Sequence, residues 1–330
     1  RIQYLISEKN CYLDSILAVT FTNKAANEMR ERLADLLLRP IGRMWVGTFH
    51  SLAHRLLRTH AIEANLSPTF QILDQQDQYR IVKRLMKENG VDETKFPIRK
   101  VQWFINQQKD EGIKPNDIDA GYNFFVKQST KVFTLYEAHC QTNDLVDFAG
   151  LLVKSYELLK NNASLLEHYQ NQFKHILVDE FQDTNTVQYQ WIKLLRTKNN
   201  HIFCVGDDDQ SIYGWRGAKI ENIQKIEQDF KPIKVIKLEQ NYRSTGNILS
   251  ASNALIANNQ KRMEKSLWTE SGDGDLIDVY NARTEKEEAQ HVVGVISDTF
   301  NQGQNLGENA ILYRSNAQSR VFEEVLIKKN

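Results

Sequence analysis

The sequence predicts an α/β protein: a doubly wound parallel sheet, a helical insertion within it, and the beginning of a second α/β lobe. Three observations carry that reading. Short apolar runs alternate with segments whose apolar residues recur at helical spacing, the pattern of strand–crossover–strand units. Several runs end in acids, amides or aromatic–arginine pairs, at the strand ends where ligands of such sheets bind. Between about residue 50 and residue 173 the strand runs give way to consecutive amphipathic stretches.

In chain order, RIQYLISEKN reads as the tail of an amphipathic helix with Ile2, Leu5 and Ile6 on one face. It opens on Arg1 rather than Met, so a preceding segment is expected. ILAVTF (16–21) is a strand, Thr22 an N-cap, and NKAANEMRERLADLLL a helix with Ala25, Met29, Leu33 and Leu36 in phase. MWVGTF (44–49) leading into HSLAHRLLRTHA repeats the pattern, as does HILVDEF leading into TVQYQWIKLLR. HIFCVG (201–206) and KVIKLE (234–239) supply two more apolar runs. The insertion is read from QYRIVKRLMKENG, IRKVQWFINQQKDEG, KVFTLYEAHCQ and LVDFAGLLVKSYELLK, with FQIL its one strand signal. From 240 onward NILSASNALIANN, LIDVYNA, EEAQHVVGVISDTF, AILYRS and SRVFEEVLIKKN alternate helix with strand again.

Composition bounds the possibilities. At 330 residues, 41% hydrophobic and 25% charged, the chain has the makeup of a globular protein of about two domains. Its 42 basic and 42 acidic residues cancel to a formal charge of +0, so any nucleic-acid surface must be local. Cys11, Cys140 and Cys204 match no zinc or redox spacing, which points to a reducing compartment, with the cytoplasm as the expectation. No apolar run approaches the roughly 20 residues that span a bilayer, so no membrane partner is expected.

The chemistry concentrates in strand-end loops. ILVDEFQDT (176–184) sets Asp179, Glu180 and Asp183 after an apolar run. A magnesium ion on nucleotide phosphates wants one or two carboxylates and the attacking water wants a base, which assigns Asp179 to the metal and Glu180 to the water. Taken alone, the same dipeptide is also an ordinary polar turn. GDDDQSIYGWRGA (206–218) offers Gln210, a donor and acceptor suited to a γ-phosphate and its water, and then Tyr213, Trp215 and Arg216, which suit base stacking and backbone phosphates. LEQNYRS (238–244) offers Tyr242 as a flat face for a purine and Arg243 as a fork for phosphoryl charge. TFTNKAA (20–26) and GTFHSLAHRLLR (47–58) add Phe21, Thr48 and His50 at helix starts. Each of these could equally be a satisfied cap on a solvated face.

No G-x-x-x-x-G-K-[ST] loop occurs in the chain. SGDGD (271–275) is acidic and RGAK (216–219) lacks the glycine beside its lysine. The opening helix tail is the one that such a loop normally precedes, so the loop is expected upstream of Arg1.

AVTFTNKAANEMR, VGTFHSLAHRLLR, ILVDEFQDTN, VGDDDQSIYGWRGA, LEQNYRS and AILYRSNAQSRVFEEVL, in this order, resemble the superfamily 1 helicases of the UvrD/Rep/PcrA family along essentially the whole chain. The resemblance implies a RecA-like lobe of the P-loop NTPase type over 1–48 and 174–239, a helical insertion over 49–173 and part of a second RecA-like lobe over 240–330. It implies ATP and Mg2+, with Asp179 holding the metal, Glu180 activating water, Gln210 and Arg243 contacting the γ-phosphate and Tyr242 stacking on adenine. Phe21, Thr48, His50, Tyr213, Trp215 and Arg216 would lie along single-stranded DNA, joined by Phe148 from the insertion.

The activity implied is ATP-driven 3′ to 5′ movement on single strands and at single-strand/duplex junctions, in mismatch and nucleotide-excision repair, together with DNA repair proteins. Lacking the Walker lysine and threonine, and ending before the late motifs, these 330 residues alone are expected to be inactive as an ATPase. Two other readings stay open: an ATP-independent single-strand binding module, and a metal nuclease built on Asp179, Glu180 and Asp183.

Overall fold

A computed structural model describes the chain at every residue except Arg39, Arg43, Lys261 and Asn330. The chain divides into two compact units, Arg1–Ile236 and Lys237–Asn330.

In the first unit the elements run α1 (Ile2–Ser7), β1 (Ile16–Thr20), α2 (Asn23–Leu37), β2 (Trp45–Thr48), α3 (Phe49–Thr59), β3 (Gln71–Leu73), α4 (Gln75–Glu88), α5 (Ile98–Asp110), α6 (Phe124–Thr142), β4 (Leu145–Asp147), α7 (Phe148–Asn161), α8 (Ala163–Gln172), β5 (His175–Val178), α9 (Thr186–Leu195), β6 (His201–Cys204) and α10 (Glu221–Asp229). Four strands form a parallel sheet in the order β2-β1-β5-β6. β1 lies between two neighbours and is buried along its whole length, which is why ILAV is uninterrupted by polar residues. Thr22 caps α2 by accepting the Ala25 N–H at 3.1 Å. α1, β1, α2 and β2 share one core, containing Leu5, Ile6, Ile16, Ala18, Leu33 and Val46.

The insertion owns a second core. Val82, Leu85, Met86, Val101, Ile105, Val132, Phe133 and Tyr136 come together from α4, α5 and α6. Sequence patterning misses two elements here. β4 pairs in parallel with β3, but its three residues run straight into the apolar start of α7 and read as part of that helix. The other is α8, a short helix that buries Leu165 and Tyr169 and is otherwise largely polar.

KVIKLE (234–239), expected as a fifth strand, forms none. Its apolar residues are interspersed with lysines, yet among the described residues no strand pairs with it, and Ile236 and Leu238 are exposed. A strand exists only where a partner takes up its N–H and C=O groups.

The second unit carries α11 (Gly246–Ile256), α12 (Glu285–Asn301) and α13 (Ser319–Lys329), with α12 packed on α13. The helix expected to the chain end is described as far as Lys329, and Asn330 lies outside the described residues. Gly272 and Asp273 carbonyls accept the Gly246 and Asn247 N–H groups, so the SGDGD loop closes the start of α11. LIDVYNA and AILYRS, expected as strands, form no strand among the described residues, and Leu276, Val279 and Leu312 stand exposed. Among the described residues the one ladder contact of this unit is the Gln240–Trp268 bridge.

Candidate nucleotide and nucleic-acid site

Parallel register decides where the motifs of the first unit meet. Thr20 pairs with Thr48, Val19 with Val178, and Val178 with Cys204, so β1, β2, β5 and β6 all end on one edge of the sheet. The residues that follow, Phe21, His50, Asp179–Glu180 and the 206–216 loop, emerge at that edge.

Asp179 extends the ladder by donating its N–H to the Val19 carbonyl at 2.8 Å, and its Oδ2 accepts a long bond from the Thr20 hydroxyl at 3.4 Å. Partial burial, then the neighbouring Glu180 charge, raise its pKa. Glu180 turns the chain with φ 50°, a left-handed conformation that glycine adopts more readily. The turn is held because the next residue, Phe181, donates its N–H to Val205 O at 2.9 Å and has its ring fully buried.

Gln182 joins the two acidic loops. It is 1% exposed, its Nε2 donates to Glu180 Oε2 at 2.8 Å, and its Oε1 accepts the Asp207 N–H at 3.0 Å. Gly206 leaves it room, since a Cβ there would stand 2.8 Å from Gln182 Oε1. Beyond Asp207, Gln210 donates to the Asp207 carboxylate at 2.6 Å. Glu180 and Gln210 are thus linked, by way of Asp207, through a residue the motif reading passes over. A neutral amide between acids is unremarkable until its partners are known.

Asp183 is 6% exposed, and among the described residues its Oδ1 has no hydrogen-bond partner. Burial, then Glu180, push its pKa up to about 6. The Asp179 carboxylate and the Thr20 hydroxyl that it accepts offer oxygen donors only at the end of β5. That donor chemistry fits a hard cation such as Mg2+.

The aromatic residues fall into two groups. The Phe21 and Tyr213 rings lie 5.1 Å apart, Tyr213 and Trp215 lie 6.4 Å apart, and the Arg216 guanidinium sits 4.7 Å from the Trp215 centroid. Trp215 is 60% exposed, a large flat surface offered outward. Separately, His50 meets Phe148 edge-on at 5.9 Å. Burial lowers the His50 pKa to about 4, so the ring is neutral at ordinary pH. Thr48 is itself buried and accepts the Ser51 N–H as the α3 cap. Its side chain therefore serves the fold as well as the loop.

Tyr242 and Arg243 belong to the second unit. Asn241 Oδ1 accepts the N–H groups of Arg243 and Ser244 at 2.9 and 2.8 Å, a tight turn that leaves both the Tyr242 and Arg243 side chains exposed. The Tyr242 hydroxyl donates to Gln240 Oε1 at 2.7 Å.

A parallel sheet of this order, with acids after one strand, an amide and aromatics after the next and a helical insertion, defines an α/β domain whose candidate site lies at its strand ends. The chain belongs to the UvrD/REP helicase family: residues 1–231 match the UvrD/REP helicase N-terminal domain and residues 236–330 the UvrD-like helicase C-terminal domain. The fold is accordingly α/β, RecA-like and of the P-loop NTPase type.

Among individual relatives, the chain is 54% identical over 328 residues to DNA helicase II of Escherichia coli, covering 99% of this chain and 46% of that one. It is 52% identical over 332 residues to DNA helicase II of Haemophilus influenzae, with the same coverage of 99% and 46%. It is 43% identical over 331 residues to ATP-dependent DNA helicase PcrA of Staphylococcus epidermidis, covering 100% of this chain and 45% of that one. The chain spans about half the length of the curated relatives it matches.

Proposed function

We propose that this chain forms the first lobe, the insertion and the opening of the second lobe of an ATP-dependent DNA helicase. It moves 3′ to 5′ along single-stranded DNA and acts at single-strand/duplex junctions in cytoplasmic mismatch and nucleotide-excision repair, with repair proteins as partners. In this reading the first lobe covers 1–48 and 174–239, the insertion 49–173, and the second lobe begins at 240.

ATP would supply the phosphoryl group whose transfer to water drives movement, and Mg2+ would offset the charge of its phosphates. Asp179 would hold the metal, Glu180 would take the proton of the attacking water, and Gln210 would contact the γ-phosphate and that water. Arg243 would answer the γ-phosphate charge and Tyr242 would stack on the base. Phe21, Tyr213, Trp215 and Arg216, with Thr48, His50 and Phe148, grip the strand. The observation that carries the reading is the Gln182 bridge: one buried side chain ties Glu180 to Asp207, in the loop that runs on through Gln210 to Tyr213 and Trp215. A change at the carboxylates therefore has a short path to the aromatic grip.

In the intact protein, Glu180→Gln should lower single-strand-stimulated ATP turnover by about 10²–10⁴-fold while leaving DNA affinity in place. Undiminished turnover overturns the assignment. For these 330 residues alone, the lack of a G-x-x-x-x-G-K-[ST] sequence favours a second reading, single-strand binding without ATP turnover. ATP hydrolysis by the purified chain would refute it.

A further inference from the structure

Three consecutive residues at the end of α5 reach three different parts of the first unit. Lys109 is buried and its Nζ lies 2.7 Å from Asp147 Oδ2 and 2.6 Å from Glu137 Oε1. Asp147 also receives the Tyr136 hydroxyl at 2.7 Å, and through Oδ1 it accepts the Gly150 N–H at 2.6 Å. It thereby caps α7, whose first residue is Phe148. Asp110 Oδ1 accepts from Asn185 Nδ2 at 2.8 Å, and Asn185 is the capping-box residue of α9, directly after the carboxylate loop. Glu111 divides its two oxygens: Oε2 accepts the Thr186 hydroxyl at 2.6 Å and Oε1 pairs with Lys219 Nζ at 2.6 Å.

The far side of this junction is the aromatic loop. Lys219 donates its N–H to Thr184 O at 2.9 Å, and Asn222 Nδ2 donates to the same carbonyl at 2.9 Å. Gly217, with φ +86°, turns the chain out of the Gly214–Arg216 turn, and a Cβ there would lie 3.5 Å from Asp110 Oδ2.

Local physics does not ask for these acids. Carboxylates at a helix C-terminus face the negative end of the dipole. Burial, then Asp147 and Glu111, raise the Asp110 pKa to about 7. The Glu111–Lys219 pair is partly exposed, so it adds little stability. Residues that break a local rule without stabilising the fold are expected where function requires them.

We propose that Lys109, Asp110 and Glu111 are positioning residues that fix the Trp215 loop and Phe148 relative to the carboxylate loop, so that both aromatic groups hold one DNA strand in register. The inference rests on the single-strand-binding reading above. Glu111 is the residue to test, because Lys109 and Asp110 are more deeply committed to packing.

The experiment is fluorescence anisotropy of a labelled oligothymidylate with the 330-residue chain and its Glu111→Ala, Glu111→Gln, Trp215→Ala and Glu111→Ala/Trp215→Ala variants. Thermal melting serves as a folding check. We expect Glu111→Ala to weaken binding about three- to tenfold with little change in melting. In the Trp215→Ala background the same change should have less than about a twofold effect, because the loop it positions has lost its grip. The charge-swapped pair Glu111→Lys/Lys219→Glu should recover part of the loss. If Glu111→Ala does not fold, Glu111→Gln, which keeps the Thr186 bond and loses the ion pair, carries the comparison.

Unchanged affinity in the Glu111 variants, with Trp215→Ala still impaired, overturns the positioning role alone. A fully additive double variant overturns it too. A wild-type chain that binds no oligonucleotide sinks the binding reading, and this inference with it.

Discussion

Replacing Gln182 with leucine isolates the link between the two acidic loops. The side chain is 1% exposed, gives Nε2 to Glu180 Oε2 at 2.8 Å and takes the Asp207 N–H on Oε1 at 3.0 Å. Leucine keeps most of the volume and loses both bonds. A hydrogen bond to a charged acceptor is worth about 1.5–3 kcal/mol, and an amide N–H left without an acceptor costs about 1 kcal/mol or more. Some of this returns as the freed Glu180 carboxylate turns toward water.

We expect a net destabilisation of about 2–3 kcal/mol, read as a lower urea midpoint at unchanged slope in the unfolding of the first unit. The variant Gln182→Glu refines the test. It still accepts the Asp207 N–H but sets a second carboxylate against Glu180, and like charges raise carboxyl pKa values. Groups with raised folded pKa values stabilise at low pH and lose that contribution as pH climbs, so the Gln182→Glu deficit should be larger at about pH 8 than at about pH 5. A Gln182→Leu protein within about 0.5 kcal/mol of wild type, or a Gln182→Glu deficit indifferent to pH, refutes the bridge.

Further outcomes follow from the same geometry. Trp215→Ala, at a residue 60% exposed, should leave the urea midpoint nearly unchanged while weakening single-strand binding by about 1–3 kcal/mol in an anisotropy titration. Asp183, with its pKa pushed up to about 6, makes the fold lose stability as pH rises from about 4 through about 6. Asp183→Asn should flatten that part of a stability-against-pH curve measured by urea unfolding. Lys109→Met strands the buried Asp147 charge and should cost about 3–5 kcal/mol, visible as a large fall in melting temperature.

Much of the fold was legible because burial wrote itself into composition. β1 is apolar along its length because neighbours flank it on both sides, and the apolar positions of α3, Phe49, Leu52, Ala53, Leu56 and Leu57, recur at helical spacing because one face packs inward. β4 hid because three residues cannot show a period before α7 begins. KVIKLE, LIDVYNA and AILYRS carry strand-like composition, yet pairing depends on a partner that local sequence does not encode.

The site divided in the same way. Asp179, Glu180, Gln210 and Trp215 could be picked out because each sits in a strand-end loop with chemistry of its own. Gln182 and the Lys109–Glu111 run could not, since their meaning lies in contacts: Lys109 with Asp147, Glu111 with Lys219, Gln182 with Asp207.

The insertion's hydrophobic cluster draws on none of the four strands of the main sheet. Volume changes at Val82, Leu85 or Met86 on α4 therefore fall within that cluster and not on the strands that present the carboxylates. The α4 side of the insertion can thus be repacked without touching the main sheet, while the end of α5, held through Lys109, Asp110 and Glu111, cannot.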